Sequence, residues 1–290
     1  MMKNIKWKNP IFILGNPRSG TSLLRLMLDS HTAIGIPPES HFFLWLEEKY
    51  GDWNEVFLED YLEDLFLSTK FETWNLNKHD LKNFILSNSC NSYAKLTSLV
   101  YLFYSINNQS NISYWGDKNS LWVDKLEKID FYYPNAYYVF IVRDGRDVAC
   151  SYKSLNKKQI PHKYAPKLDN DVSEIAKKWS FHNIKVDSFL SKISSNNFVK
   201  IRYEDLVNKP EETLTNVLKM LGLSLETEQL NYFKRTRESI EPDIFFNWKE
   251  KLLKPLDVDN IGKYKNELTN QEIDTFNKIA YEVLKQNSYL

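Results

Sequence analysis

Gly15 to Ser22 read GNPRSGTS, set between the short apolar run Ile11 to Leu14 and the apolar stretch SLLRLMLDSH. Against the phosphate-loop pattern G-x-x-x-x-G-K-[ST], Gly15, Gly20 and Ser22 match, and Thr21 stands where the lysine belongs. The apolar run, with the β-branched Ile11 and Ile13, predicts a buried strand, and the stretch beyond the loop, apolar almost all round, predicts a buried helix. A glycine turn that leaves a strand and opens a helix aims successive backbone N–H groups, and the positive end of the helix dipole, at one point. Ser19, Thr21 and Ser22 add hydroxyl donors. Arg18 supplies the fixed charge that Thr21 lacks, through paired donors suited to a tetrahedral oxyanion. The competing interpretation is a tight turn with a surface arginine; the flanking strand and helix favour the anion cradle.

Outward from this loop, YYVFIVR, Tyr137 to Arg143, is the plainest strand in the chain, and a helix is expected from Asp147. FVKIRYE reads as a third strand, and Glu211 to Leu221 as a helix that Gly222 stops. Val172, Ile175, Ala176, Trp179, Val186 and Phe189 fall near helical spacing, and the pattern from Gln271 to Lys285 is again helical. Between residues 40 and 106, HFFLWLEEKY, WNEVFLEDYLEDLF and SYAKLTSLVYLFYSI predict a helical, aromatic-rich elaboration on the acceptor side. Leu155 to Asn170, LNKKQIPHKYAPKLDN, reads as a mobile loop. The alternation predicts an α/β fold: a P-loop-like parallel β-sheet flanked by helices, as a single domain over 1–290 with a helical insertion at roughly 40–106. A ligand in the first loop then lies at the carboxyl ends of the strands.

Composition narrows the partners. Lys plus Arg and Asp plus Glu are 38 each, for a formal net charge of +0. That argues against a general nucleic-acid binder, which needs excess positive charge, so any anion site is local. Aromatics make up 14% of the chain, with eight Trp, which indicates a dense core or an aromatic-lined pocket, core being favoured. Cys90 and Cys150 are too few for a disulfide framework or a thiolate metal cluster. The start, MMKNIKWKNP, has no apolar h-region, and no apolar run is long enough to span a bilayer. A reducing, cytoplasmic setting is expected, in which the sequons at Asn108 and Asn111 carry no meaning.

The second constellation is YYVFIVRDGRDVACSY. Arg143 ends a strand, and Ser151 lies in the helix that follows; together they can converge on one phosphate. Arg143 could instead form a salt bridge to Asp144 or Asp147. Joined to the first loop, the pair suggests two anion sites at opposite ends of one nucleotide.

With both elements in place, the chain resembles the sulfotransferases that use 3′-phosphoadenosine 5′-phosphosulfate (PAPS), over about Phe12 to Tyr264. PRSGTS resembles their loop for the 5′-phosphosulfate, and IVRDGRDVACSY their 3′-phosphate element. The likeness is greatest to the tyrosylprotein-sulfotransferase-like and related bacterial branch. There a PRSGT-initiated motif leads to a catalytic glutamate, matched by Glu39 in GIPPESHFF. The resemblance also assigns Lys118 in WGDKNSLW to catalysis with Arg18, and Tyr203 and Lys263 to the donor site. It implies PAPS as donor, the 3′,5′-bisphosphate PAP as product, no metal, and an acceptor hydroxyl on a small molecule, a carbohydrate or a tyrosyl group. Two positions depart from the pattern. A further arginine of this branch is Leu155 here, and a late-segment serine is Trp248. The anchor and disulfides of the tyrosylprotein enzymes are unmatched too, so their acceptor need not carry over.

Sulfonyl transfer is an in-line displacement in which positioning and electrostatics do most of the catalysis. Arg18, Lys118 and the loop N–H groups are expected to stabilise the leaving phosphate, with Glu39 as general base and His41 as the rival base. Without the spacing match, Glu39 would be a surface acid, Lys118 and Lys263 surface charges, and Tyr203 a core residue. Two other classes compete: a small-molecule P-loop kinase, which needs the absent lysine and a Mg²⁺ ligand, and a non-catalytic nucleotide-binding interaction module.

Overall fold

The structure, a computed structural model, describes residues 8–108 and 112–290. The segment 1–7, read above for a leader, and residues 109–111 of the two sequons lie outside the described residues. Five parallel strands form one sheet: β1 (Ile11–Leu14), β2 (Ile34–Gly35), β3 (Tyr114–Lys118), β4 (Tyr137–Val142) and β5 (Phe198–Arg202), in the order β2-β3-β1-β4-β5. The helices include α1 (Thr21–Asp29), α2 (Phe42–Tyr50), α3 (Leu58–Leu67), α4 (Lys78–Leu86), α5 (Tyr93–Asn108), α6 (Leu126–Tyr132), α7 (Gly145–Lys157), α8 (Val172–Leu190), α9 (Tyr203–Asn208) and α10 (Pro210–Leu221), with Asn270–Gln286 at the C-terminus. The α/β parallel-sheet expectation holds.

Strand alternation divides the core in two. Phe12 and Leu14 of β1 join Tyr138 and Phe140 of β4 in the cluster that includes α2–α5, α8 and the C-terminal helix. Ile11 and Ile13 join Val139 and Ile141 in the opposite cluster, under α1 and α10. The first face is aromatic: Phe12 meets the rings of Trp115, Trp122, Tyr133 and Tyr138. Trp74, Trp115, Trp122 and Trp179 are buried there, so the aromatic content is chiefly core.

Two sequence expectations need correction. Leu155 to Lys157, assigned to a loop, form the last turn of α7, where Tyr152 and Leu155 are buried and the prolines come only later. β2 and β3 were not foreseen: β2 is two residues long, and β3, YWGDK, is wholly buried yet ends on the charged pair Asp117 and Lys118. Between Gly222, which ends α10 in the left-handed region (φ 69°), and the C-terminal helix, the chain runs through short helical turns that form a late wall across the strand ends. Among the described residues, no helix is long and apolar enough to cross a membrane.

Candidate active site

Because every strand is parallel, their carboxyl ends lie along one edge, and each delivers a residue singled out above. β1 runs into the Gly15–Ser22 loop, β2 leads to Glu39, β3 ends on Lys118, β4 is followed by Arg143 and β5 by Tyr203. The register pairs Ile13 with Lys118 and Leu14 with Phe140, so the loop lies between the ends of β3 and β4.

The loop has the form of an anion cradle. Gly20 is the N-cap of α1 at φ 93°, no side chain caps the helix, and no acidic residue occupies its first turn. The first N–H groups of α1 therefore lack intrahelical partners and point at the loop. A Cβ on Gly20 would stand 2.5 Å from the Tyr203 ring, so only glycine fits between loop and tyrosine. The Ser19 hydroxyl is buried without a partner.

Arg18, Gly20, Thr21, Ser22, Arg143, Ser151, Tyr203 and Lys263 all line one cavity of about 480 Å³, within the usual size range of ligand pockets. Ser19 lies buried beneath it. Arg18 itself adopts φ 66° and donates from Nε to Ser151 Oγ at 3.2 Å and from Nη1 to the Trp248 carbonyl at 3.2 Å. The two motifs thus touch directly. Burial lowers the Arg18 pKa, and the neighbouring Arg143 charge adds to this.

Arg143 forms no salt bridge with Asp144 or Asp147. It donates to the carbonyls of Arg18 (3.1 Å) and Asn260 (2.6 Å), and its guanidinium lies 4.3 Å from the centre of the Tyr203 ring. Its buried Nε has no partner. Asp144 is taken by Arg146. Asp147 accepts N–H bonds from Gly262 (2.7 Å) and Tyr264 (3.0 Å), and so anchors the backbone on both sides of Lys263. Lys263 Nζ sits 3.4 Å from Glu267.

Glu39 and Lys118 form a second cluster beside the cavity, outside its wall. The segment around Glu39 is fixed on both sides: Trp74 donates to the Pro38 carbonyl at 2.9 Å, and Asn119 to the Ser40 carbonyl at 3.2 Å. One carboxylate oxygen accepts from Lys118, the other from Lys70, and His41 Nε2 is 3.2 Å from the latter. Burial alone would push the Glu39 pKa up. Lys118 above all, then His41, Lys70 and Lys249, reverse this and hold it well below the usual carboxylate range. His41 is therefore a partner of Glu39, not an isolated alternative.

Sequence reasoning missed Lys70, Lys249 and Glu241. Lys70 comes from the turn before Phe71–Trp74, and Lys249 from the late wall, where it bonds Glu241 at 3.0 Å. Their roles depend on contacts far apart in sequence, and no local pattern marks them. Among the described residues, no group of His, Cys, Asp and Glu could hold a metal ion.

A model of the Sulfotransferase family matches residues 10–227. The chain belongs to the sulfotransferase family. Protein-tyrosine sulfotransferase A of Caenorhabditis elegans is 22% identical over 273 residues, covering 93% of this chain and 64% of that protein. The chain thus spans less than two thirds of that relative. The sulfotransferase domain from the curacin biosynthetic pathway shares the fold at TM-score 0.64, with 23% identity and coverage of 96% and 98% of the two chains. Mouse sulfotransferase SULT7A1, solved as a complex with PAP, has a TM-score of 0.55, 13% identity and coverage of 97% and 85%.

The two departures from the family pattern are now visible. Leu155 lines the cavity where the arginine was expected, and Lys158, just past the end of α7, lines it too. Trp248 offers Arg18 its backbone carbonyl, while its ring packs on Phe245 and Leu155.

Proposed function

We propose that this protein moves a sulfonyl group from PAPS to an acceptor hydroxyl, with Glu39 as general base. What chiefly supports this is the convergence of the loop, Glu39, Lys118, Arg143 and Tyr203 at the ends of five adjacent parallel strands. The cavity suits a bisphosphorylated nucleotide: the Ser19 hydroxyl and Arg143 Nε are buried and unpartnered, and Arg18, Lys158, Lys251 and Lys263 stand on the wall. The donor supplies a sulfonyl group whose S–O bond to the 5′-phosphate is exchanged for one to the acceptor oxygen.

In this account the loop N–H groups, Ser19, Thr21 and Ser22 hold the 5′ end, and Arg143 and Ser151 hold the 3′-phosphate. Tyr203 and Lys263 flank the nucleotide. Arg18 and Lys118 carry the charge left on the leaving phosphate. Glu39 receives the acceptor proton. A carboxylate clamped by two lysines is a weak base, so the clamp must loosen when an anionic donor draws Lys118 toward it. That exchange raises the proton affinity of Glu39 at the moment a base is needed.

The acceptor is a hydroxyl compound; the named relative makes a tyrosyl group one candidate class, beside small molecules and carbohydrates. Cys90 and Cys150 are free and buried, burial pushing the thiols up to about 11 and 12. An acceptor screen with isotopically labelled PAPS, read by mass spectrometry for a sulfonate gain, tests the assignment. A labelled product supports it. Transfer of phosphate from ATP with Mg²⁺, and none of sulfonate, would replace it with the kinase.

A further inference from the structure

Lys249 is a cation that neither motif accounts for. Its side chain is 11% exposed and forms part of the cavity wall beside Trp248. Nζ lies 3.0 Å from Glu241 Oε1 and 4.8 Å from the centre of the Phe245 ring. Glu241 is fully buried and is held in turn at 3.2 Å by Arg25 of α1, the helix that opens at the anion cradle. Lys70, the ion-pair partner of Glu39, reaches the same Phe245 ring at 5.9 Å, which places Lys249 beside the Glu39 cluster. It therefore borders both the donor cavity and the base.

The charges there do not balance. Arg25, Arg235, Lys70, Lys118 and Lys249 contribute five cations, against four carboxyl groups, Glu39, Glu241, Asp29 and Asp117, and burial raises the pKa of the last to about 7. An excess of buried positive charge is costly unless an anion completes it. The strain falls on Lys249. Burial is the largest influence on its ammonium; the pull of Glu241 and Glu39 opposes it and Lys118 reinforces it, leaving the pKa lowered to about 8.

We propose that Lys249, oriented by Glu241, is a third cation of the transfer site and binds the anionic sulfonyl group on the donor. The proposal rests on the PAPS assignment above. The chemistry follows from position: a group passing from a nucleotide in the cavity to an oxygen beside Glu39 must cross the space Lys249 borders. Glu241 acts through Lys249 and is a positioning residue.

Calorimetric titrations of the wild-type protein with PAPS and with PAP at pH 8.5, each in two buffers of different ionisation enthalpy, test this. Burial lowers the affinity of Lys249 for its proton, so sulfonyl contact should recruit one. Binding of PAPS is expected to take up more protons than binding of PAP. Lys249→Arg, always charged, should abolish the extra uptake while keeping the preference for PAPS. Lys249→Met should lose roughly tenfold or more in PAPS affinity and leave PAP within about twofold. Matched proton uptake for the two ligands, or equal weakening of both by Lys249→Met, overturns the role of Lys249 while leaving the donor assignment intact. Failure of the wild type to bind either nucleotide overturns the donor assignment and this proposal together.

Discussion

The two walls of the cavity at the strand ends are built differently. The strand-end wall is a parallel sheet whose loops leave from paired, buried strands, so its side chains inherit their positions from the ladder. The late wall is a series of short turns tied to the sheet side by individual hydrogen bonds: Arg143 to Asn260, Asp147 to Gly262 and Tyr264, and Arg18 to Trp248. Arg143 and Asp147 thus tie the late wall to the strand ends, and in the proposed assignment Arg143 also meets the 3′-phosphate. Substitutions on the sheet side should reach the late wall, whereas late-wall substitutions should leave the sheet side in place.

The largest effect is expected in the Glu39 cluster, beside the strand-end wall. Glu39→Gln keeps shape and most hydrogen bonding but cannot accept a proton. Turnover should fall by roughly 10²-fold or more with PAP binding retained, and less for a nitrophenol than for an alkyl alcohol. Steady-state kinetics on the two acceptors check this. A nearly active Glu39→Gln beside a dead His41→Asn would move the base to His41.

Next come the residues that serve both walls. Arg143→Ala should weaken PAP by roughly tenfold or more, the worth of a charge-assisted contact, and should also increase proteolytic cleavage between 248 and 264. Loss of affinity with unchanged cleavage would separate the two functions. Asp147→Asn retains one acceptor where two N–H groups need satisfying, so a smaller loss is expected, about severalfold in PAP affinity. Unchanged affinity would show that Lys263 is positioned without this tether.

The smallest and most specific effect lies in the pH dependence of stability. Asp117 is fully buried behind Lys118, bonded at one oxygen to Trp122 Nε1 (2.7 Å), and burial raises its pKa to about 7. A carboxyl raised on folding contributes stability in acid that is lost as pH rises through its folded pKa. Glu39, lowered on folding, behaves oppositely: its contribution is present above the unfolded carboxylate pKa and is lost as pH falls through the folded one. Asp117→Asn should therefore compare better with wild type at pH 8 than at pH 5 in chemical denaturation. The same difference at both pH values would mean that Asp117 is already ionised across this range.

The same contrast explains what the sequence made legible. The sheet side was visible because its signals are local: an apolar run entering a glycine loop, YYVFIV running into Arg143, and a helix stopped by Gly222. β3 was invisible because Asp117 and Lys118 occupy buried positions that an ordinary strand fills with apolar residues; site chemistry overwrote the strand pattern. The clamp on Glu39 was half visible, Lys118 through its motif and Lys70 not at all. Lys249 and Glu241 lie in turns without periodicity, and only folding brings them to the strand ends.

Calorimetric titration of the wild-type protein with PAP and with ADP decides whether the site is built for a nucleotide phosphorylated at both ends. The 3′-phosphate should meet Arg143 and Ser151, so PAP is predicted to bind roughly tenfold or more tightly than ADP. EDTA should leave that preference unchanged. Equal affinity for PAP and ADP, or tight binding of ATP that depends on Mg²⁺, would contradict it.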